Sequence, residues 1–193
     1  MRIGVIGTGN IGGTLGAALA RAGHQVTLGS RHPQDEGATD AGVADIAGAL
    51  QDAEVVLLAI PAGALDEFLA EHARALAGKL VVDATNRIGA PVANAAAQLA
   101  AAAPSARYAR AFNTLGWENF ADPVFDGEPA DLFFASSPAD RPVVEELITG
   151  VGLRPAYLGE GNQDVVDGVL RLWFALVQAG GGNRRLAFRV VRK

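Results

Sequence analysis

"GVIGTGNIGGTLGAALARAGHQVTLGSRHP", residues 4–33, joins a β-branched run to an alanine-rich one through the set Gly7-Thr8-Gly9-Asn10-Ile11-Gly12. A G-x-G-x-x-G pattern alone says little. Here a strand, Arg2–Ile6, precedes it and a helix, Ile11–Ala22, follows, which is the context the pattern needs. Gly7 permits the tight turn, Gly9 lets backbone approach a pyrophosphate, and Gly12 lets the helix close onto the strand. The unpaired N–H groups at the helix start, beside Thr8, Asn10 and Ile11, then meet the phosphates with the positive end of the helix dipole.

The next strand decides which dinucleotide. In a site for NAD, an acidic side chain about twenty residues onward accepts bonds from the ribose 2′-OH and would repel a 2′-phosphate. This strand ends instead in Gly29-Ser30-Arg31. Without the acid, Arg31 can make a forked, charge-assisted contact with a 2′-phosphate, with Ser30 and a protonated His32 as further donors. The implied cofactor is NADP(H). Asp35 and Glu36 lie beyond Pro33, past the ribose and toward solvent.

Along the chain, short β-branched runs alternate with alanine-rich stretches, the pattern of βαβ units around a sheet buried on both faces. Strands are expected at Arg2–Ile6, Gln25–Leu28, Glu54–Ile60, Leu80–Asp83, Tyr108–Phe112, Asp131–Ala135 and Arg154–Leu158. Helices are expected near Ile11–Ala22, Val43–Gln51, Gly63–Ala75, Val92–Ala102, Arg141–Thr149 and Asp164–Gln178. The fold class is therefore α/β, a Rossmann-type doubly wound, mostly parallel sheet with a short C-terminal helical appendage. Residues 1–160 would form the NADP-binding domain and residues 161–193 the appended helix and tail. That helix is apolar on nearly every face and must be covered, by the sheet or by a second subunit, so a homodimer is expected. Trp173 and Phe174 would pack there, and whether Trp117 and Trp173 also touch a second ring is left open.

Strand ends in such a sheet carry the site. Ala59-Ile60-Pro61 would border the dinucleotide, as would Ala84, Thr85 and Asn86. Asn86, Asn113, Thr114 and Leu115 would line the acceptor crevice near the nicotinamide. These neutral amides and hydroxyls orient flat rings without offering a strong acid or base. The three histidines are expected at the surface, His24 at the amino edge of the sheet, and Lys79 also stands at that edge. No catalytic residue and no metal site is assigned; hydride transfer between stacked rings needs orientation and exclusion of water more than proton shuttling.

With 193 residues, net charge −5 and pI about 5.2, the chain reads as one domain with no electrostatic invitation to nucleic acid or membrane. Absence of cysteine removes thiol chemistry and fits a cytoplasmic protein. The first twenty residues imitate a secretory leader, but their glycines make a poor apolar helix.

GTGNIGG, GSRHP and the later GLRPAYLG, residues 152–159, resemble the coenzyme F420-dependent NADP oxidoreductases across essentially the whole chain. The resemblance implies a Rossmann domain, a homodimer and hydride exchange between NADPH and a deazaflavin, with Thr8, Asn10, Ser30 and Arg31 holding NADPH. Within that group, GSRHPQ, VVDATN and ARAFNTLGW look more like the cytosolic NADPH domain of the six-transmembrane metalloreductases and related bacterial soluble proteins, whose acceptor is a flavin. Arg87 stands where relatives often have Pro, and Gly159-Glu160-Gly161 where they often have Gly-Pro-Leu; both are expected near the acceptor. The expected activity is NADPH-dependent hydride transfer to a flavin-type acceptor, F420 or FMN/FAD. The alternatives are a non-catalytic NADPH sensor and an imine or 2-hydroxy-acid reductase. The last normally needs a longer helical second domain or a catalytic lysine.

Overall fold

Strands covered by helices on both faces need apolar side chains at every position, and the central strands here have them. In the computed structural model of the chain, which describes residues 1–35, 40–191 and 193, the strand Val55–Leu58 is buried at all four positions. The period-2 alternation of side chains sorts those positions between two cores. Val55 and Leu57 enter one with Leu80 and Val82, while Val56 and Leu58 enter the other with Val81. Continuous apolar runs thus build two hydrophobic layers around one sheet.

The strands are β1 Arg2–Ile6, β2 Gln25–Ser30, β3 Gly42–Asp45, β4 Val55–Leu58, β5 Leu80–Asp83, β6 Arg107–Arg110, β7 Val124–Phe125, β8 Glu128–Pro129, β9 Asp131–Ser136 and β10 Arg154–Tyr157. The helices are α1 Asn10–Arg21, α2 Ile46–Gln51, α3 Leu65–His72, α4 Ala96–Ala102, α5 Glu118–Ala121, α6 Arg141–Gly150 and α7 Gln163–Ala179. The main sheet runs β3-β2-β1-β4-β5-β6-β9-β10, parallel except where β6 meets β9. This is the doubly wound Rossmann order. The chain winds one way from β1 to β3 and the other way from β4 to β6, and the crevice between β1 and β4 is where such sheets bind ligands. No helix among the described residues is long and apolar enough to cross a membrane.

Two local readings are corrected and one element is added. The helix expected over Val43–Gln51 begins only at Ile46, because residues 42–45 pair in parallel with Thr27–Ser30 as edge strand β3. Asp45 marks the change, its Oδ1 accepting from Gly48 N at 2.7 Å as an N-cap. A short hairpin, β7–β8, turns at Asp126-Gly127 with both residues at positive φ (51° and 82°), a turn that Asp-Gly favours. His24 is not a surface residue: its side chain is 8% exposed, and burial first, then the neighbouring amino terminus, lower its pKa against the opposing pull of Glu146. Glu36 lies outside the described residues.

Helix α7 buries Val166, Leu170, Trp173 and Val177, and the last two enter the same core as the sheet. Trp173 is 1% exposed and needs no second subunit to cover it, while Phe174 is half-buried. A second stripe of the helix, Val165, Leu172 and Leu176, stays exposed.

Candidate functional site

A cleft of about 930 Å³ opens over the β1–β4 switch point. Its floor is the glycine turn, and each glycine there has a distinct physical reason. Gly7 sits at φ 108°, and a Cβ on it would fall 2.6 Å from the Ala59 carbonyl oxygen. At Gly12 a Cβ would fall 1.9 Å from the Gly7 carbonyl oxygen, so helix and strand touch there by backbone alone. A Cβ on Gly9 would meet nothing within 4 Å. Gly9 therefore serves no internal packing; it leaves open the space above the start of α1. That helix has no capping side chain and no acid in its first turn, so its positive end faces the cleft uncompensated.

One end of the cleft holds Ser30, Arg31 and His32. Arg31 is exposed and makes no hydrogen bond or ion pair to a described residue. Ser30 Oγ accepts from the His32 backbone N–H at 3.1 Å, which fixes the turn. Gly29 is held small by packing, since a Cβ would lie 3.0 Å from the Ile6 side chain and 3.1 Å from Ala49 Cβ. Ala59, Ile60 and Pro61 form one wall, and His72 of α3, tilted against Phe68, also lines the cleft.

The other end is built by a buried ionic network that the sequence reading missed. Arg110, at the end of β6 and 0% exposed, bridges Asp83 of β5 and Asp167 of α7. Its Nε and Nη2 donate to Asp167 Oδ1 at 3.0 and 2.7 Å, and its Nη1 lies 3.1 Å from Asp83 Oδ2. Each carboxylate has further donors. Asp83 takes Thr85 N, Thr85 Oγ1, Ala95 N and the Tyr108 hydroxyl; Asp167 takes Ala93 N, Asn94 N and Asn94 Nδ2. Burial first, then the Asp83 charge, push the Tyr108 phenol upward, so it stays protonated and donates.

From this network the fork reaches the cleft. Arg110 Nη2 donates to Asn86 Oδ1 at 3.2 Å, and Asn113 Nδ2 donates to the same oxygen at 3.0 Å and to Thr85 O at 3.2 Å. Asn113 is 1% exposed, and its Oδ1 is buried at the cleft without a partner. Buried amide oxygens are nearly always bonded, so an orphan bordering a cavity marks a ligand contact. Phe112, just before it, adopts φ 66°, a conformation that non-glycine residues keep only where packing over-determines it. Its ring, fully buried edge-on against Phe120, does so and turns Asn113 out of the strand.

Of the expected site residues, Gly7, Thr8, Gly9, Asn10, Ile11, Ser30, Arg31, His32, Ala59, Ile60, Pro61, Asn86, Asn113 and Leu115 line this one cleft. Gly12, Ala84, Thr85 and Thr114 do not. Gly12 lies under the turn, and the other three are at most 2% exposed, behind the wall. Thr85 is spent on Asp83, while Thr114 Oγ1 is buried without a partner. Arg87 is not in the cleft wall, and Glu160 and Gly161 border a separate cleft of about 370 Å³ beside Arg107 and Asp140. Residues not expected at the site, Gly116, Leu170, Phe174 and Arg184, join Trp117 and Trp173 at its far end.

Known proteins share both the sequence of the cleft floor and the fold. Residues 2–87 match the model of the family described as NADP oxidoreductase, coenzyme F420-dependent. A protein of Arthrobacter sp. FB24 described as a candidate F420-dependent NADP reductase is 26% identical, with a TM-score of 0.85 over 100% of both chains. A hypothetical protein of Sinorhizobium meliloti is 27% identical, with a TM-score of 0.66 over 82% of this chain and 84% of its own. The reductive aminase of Aspergillus terreus, solved with NADPH and ethyl levulinate, shares the fold at 20% identity and a TM-score of 0.67; it covers 94% of this chain, which spans 62% of the aminase. The match to the family of F420-dependent NADP oxidoreductases lies in residues 2–87, which carry the glycine turn, Ser30-Arg31 and the first cleft wall, and in that part the chain is similar to its members.

Proposed function

We propose that the chain exchanges hydride between NADP(H) and a flavin-type acceptor, coenzyme F420 or FMN/FAD, held across the far end of the cleft. The observation that carries this reading is the polarity of that cleft: an arginine without a bond to a described residue at one end, an open helix start in the middle, and an orphaned amide oxygen at the other. The residues present fit the dinucleotide. Arg31 would hold the 2′-phosphate, and the space above Gly9 the pyrophosphate. Asn113 Oδ1 accepts, and Asn86 Nδ2, which has no bond to a described residue, donates. Together they match the NH₂ and C=O of a carboxamide. A bound NADPH would supply hydride from its nicotinamide ring, and the acceptor would take up that hydride together with a proton from solvent, leaving NADP⁺. The chain's own part is orientation. Arg110 holds Asn86, which in turn accepts from Asn113, and the aromatic wall of Trp117, Trp173 and Phe174 would exclude water from the ring face.

Arg31→Ala is expected to weaken NADPH binding about tenfold, a charge-assisted contact at an exposed site, and to leave NADH binding unchanged. Titration of bound-nucleotide fluorescence checks it; equal affinity of the wild type for the two nucleotides would sink the NADP assignment. Turnover with F420, FMN, FAD or ferric chelates then separates the enzyme from a sensor, and failure with all four would remove the oxidoreductase reading. The exposed stripe Val165, Leu172 and Leu176 supports a homodimer, which sedimentation equilibrium should show dissociating in Leu172→Glu. A wild-type monomer would refute it.

A further inference from the structure

The C-terminal strap, residues 183–191, returns along the molecule from the end of α7 and is fastened at several points. Arg184 pairs with Glu118, Arg185 with Asp122 and Arg189 with Glu128. Phe188 forms a bridge with Asp131, whose Oδ2 also accepts from Val190 N. Asn119 Nδ2 donates to the carbonyls of Arg184 and Leu186, and Trp173 Nε1 donates to Leu186 O at 2.9 Å. A strap held this way gives Arg184 a defined place, which is the wall of the main cleft at the end opposite Arg31.

There the guanidinium lies 5.0 Å from the Trp173 ring centroid. Its Nε donates to Glu118 Oε1 at 2.6 Å, while its two Nη groups make no bond to a described residue. Gly116 leaves room for this arrangement, since a Cβ there would fall 2.4 Å from Glu118 Oε2 and 3.1 Å from Arg184 Nη2. Burial pushes the Glu118 carboxyl upward, but its bond to Arg184, a backbone bond and the charges of Arg184 and Arg185 hold it below its ordinary value. It is therefore ionised and aims the guanidinium. Fixed at Nε and stacked on an aromatic face, Arg184 presents a forked pair of donors beside the place where the acceptor ring would lie.

We propose that Arg184, delivered by the C-terminal strap, recognises an anionic substituent on the hydride acceptor, so that the cleft selects a flavin-type ring carrying a phosphate or carboxylate over the same ring without one. This rests on the flavin-type reading above. The Arg184–Glu118 pair is neutral as a whole, so recognition is a short-range fork contact and not long-range attraction. A neutral acceptor of the same shape fills the aromatic end equally well but leaves the fork unmatched.

The test compares riboflavin with FMN, which share the ring and differ by a phosphate, in both turnover and quenching of tryptophan fluorescence with NADP⁺ bound. Wild type should favour FMN over riboflavin by about tenfold in KM and in Kd. Arg184→Gln should lose that preference by weakening FMN alone, and Arg184→Lys, keeping the charge without the fork, should retain part of it. The proposal is overturned if wild type treats the two flavins alike, or if Arg184→Gln weakens both equally, as a merely structural role would. It is equally overturned if the variant raises the KM for NADPH while the FMN preference survives, because Arg184 then serves the dinucleotide. Tighter binding of FMN with no reduction of either flavin would uphold Arg184 as an anion reader and reject the flavin as the hydride acceptor; binding of neither rejects both.

Discussion

Arg110→Met is expected to lower the unfolding free energy by about 3–5 kcal/mol, the usual cost of breaking a buried ion pair from one side. The side chain is 0% exposed, and removing its charge leaves Asp83 and Asp167 in the core without their shared cation. Their remaining donors are neutral backbone, amide and hydroxyl groups, which satisfy the oxygens but do not balance the charge. Methionine matches the length of the arginine stem, so the loss is electrostatic more than a cavity. Urea denaturation measures it; a cost below about 1 kcal/mol would mean that water reaches the network. The companion Arg110→Met/Asp167→Leu should recover much of the loss, because an apolar pair of similar size often replaces a buried ion pair at little cost. Hydride transfer should not recover with it. Asn86 Oδ1 loses the Nη2 bond in both proteins and keeps only Asn113 as a donor, so its half of the amide pair that would hold the carboxamide is less firmly oriented.

Why the sequence hides this network follows from how its members are placed. The glycine turn and Ser30-Arg31 are local: a few consecutive residues carry the whole physical meaning, and the structure brings them to one cleft. The alternating strands are legible for the same reason, since period 2 needs no knowledge of partners. Arg110 and Asp167 stand 57 positions apart, and neither has a local signature. Each is nonetheless anomalous where it stands. Arg110 ends a strand in a sheet covered on both faces, and Asp167 interrupts a helix otherwise apolar on its core side. A charge in such a place is retained only when paired, so the two anomalies imply one another. Edge strand β3 was hidden differently: at four residues it reads as the first turn of the helix that follows, and only Asp45, a cap residue just before Ile46, separates the two. The strap that carries Arg184 has neither period nor motif, and its course is set by contacts with residues distant in sequence, carboxylates, Asn119 and Trp173 among them.

The glycine turn itself gives the sharpest separation of fold from site. Gly9→Ala is expected to fold with unchanged stability and to lose NADPH affinity on the order of a hundredfold. Gly12→Ala is expected to destabilise the protein by about 3 kcal/mol or more, the upper range for overpacking. The two residues share one motif, yet the added methyl meets different surroundings. At Gly12 it lands 1.9 Å from the Gly7 carbonyl oxygen, a backbone atom that cannot move without parting α1 from β1. At Gly9, whose φ is −68°, alanine is neither strained nor crowded, since nothing lies within 4 Å of the new carbon. The methyl then occupies only the space through which a pyrophosphate would approach the N–H groups of α1. Thermal unfolding and NADPH titration on both variants resolve the two effects. A Gly9→Ala protein that binds NADPH as the wild type does would show that the phosphates lie elsewhere, and would remove the central contact on which the orientation of the whole dinucleotide depends.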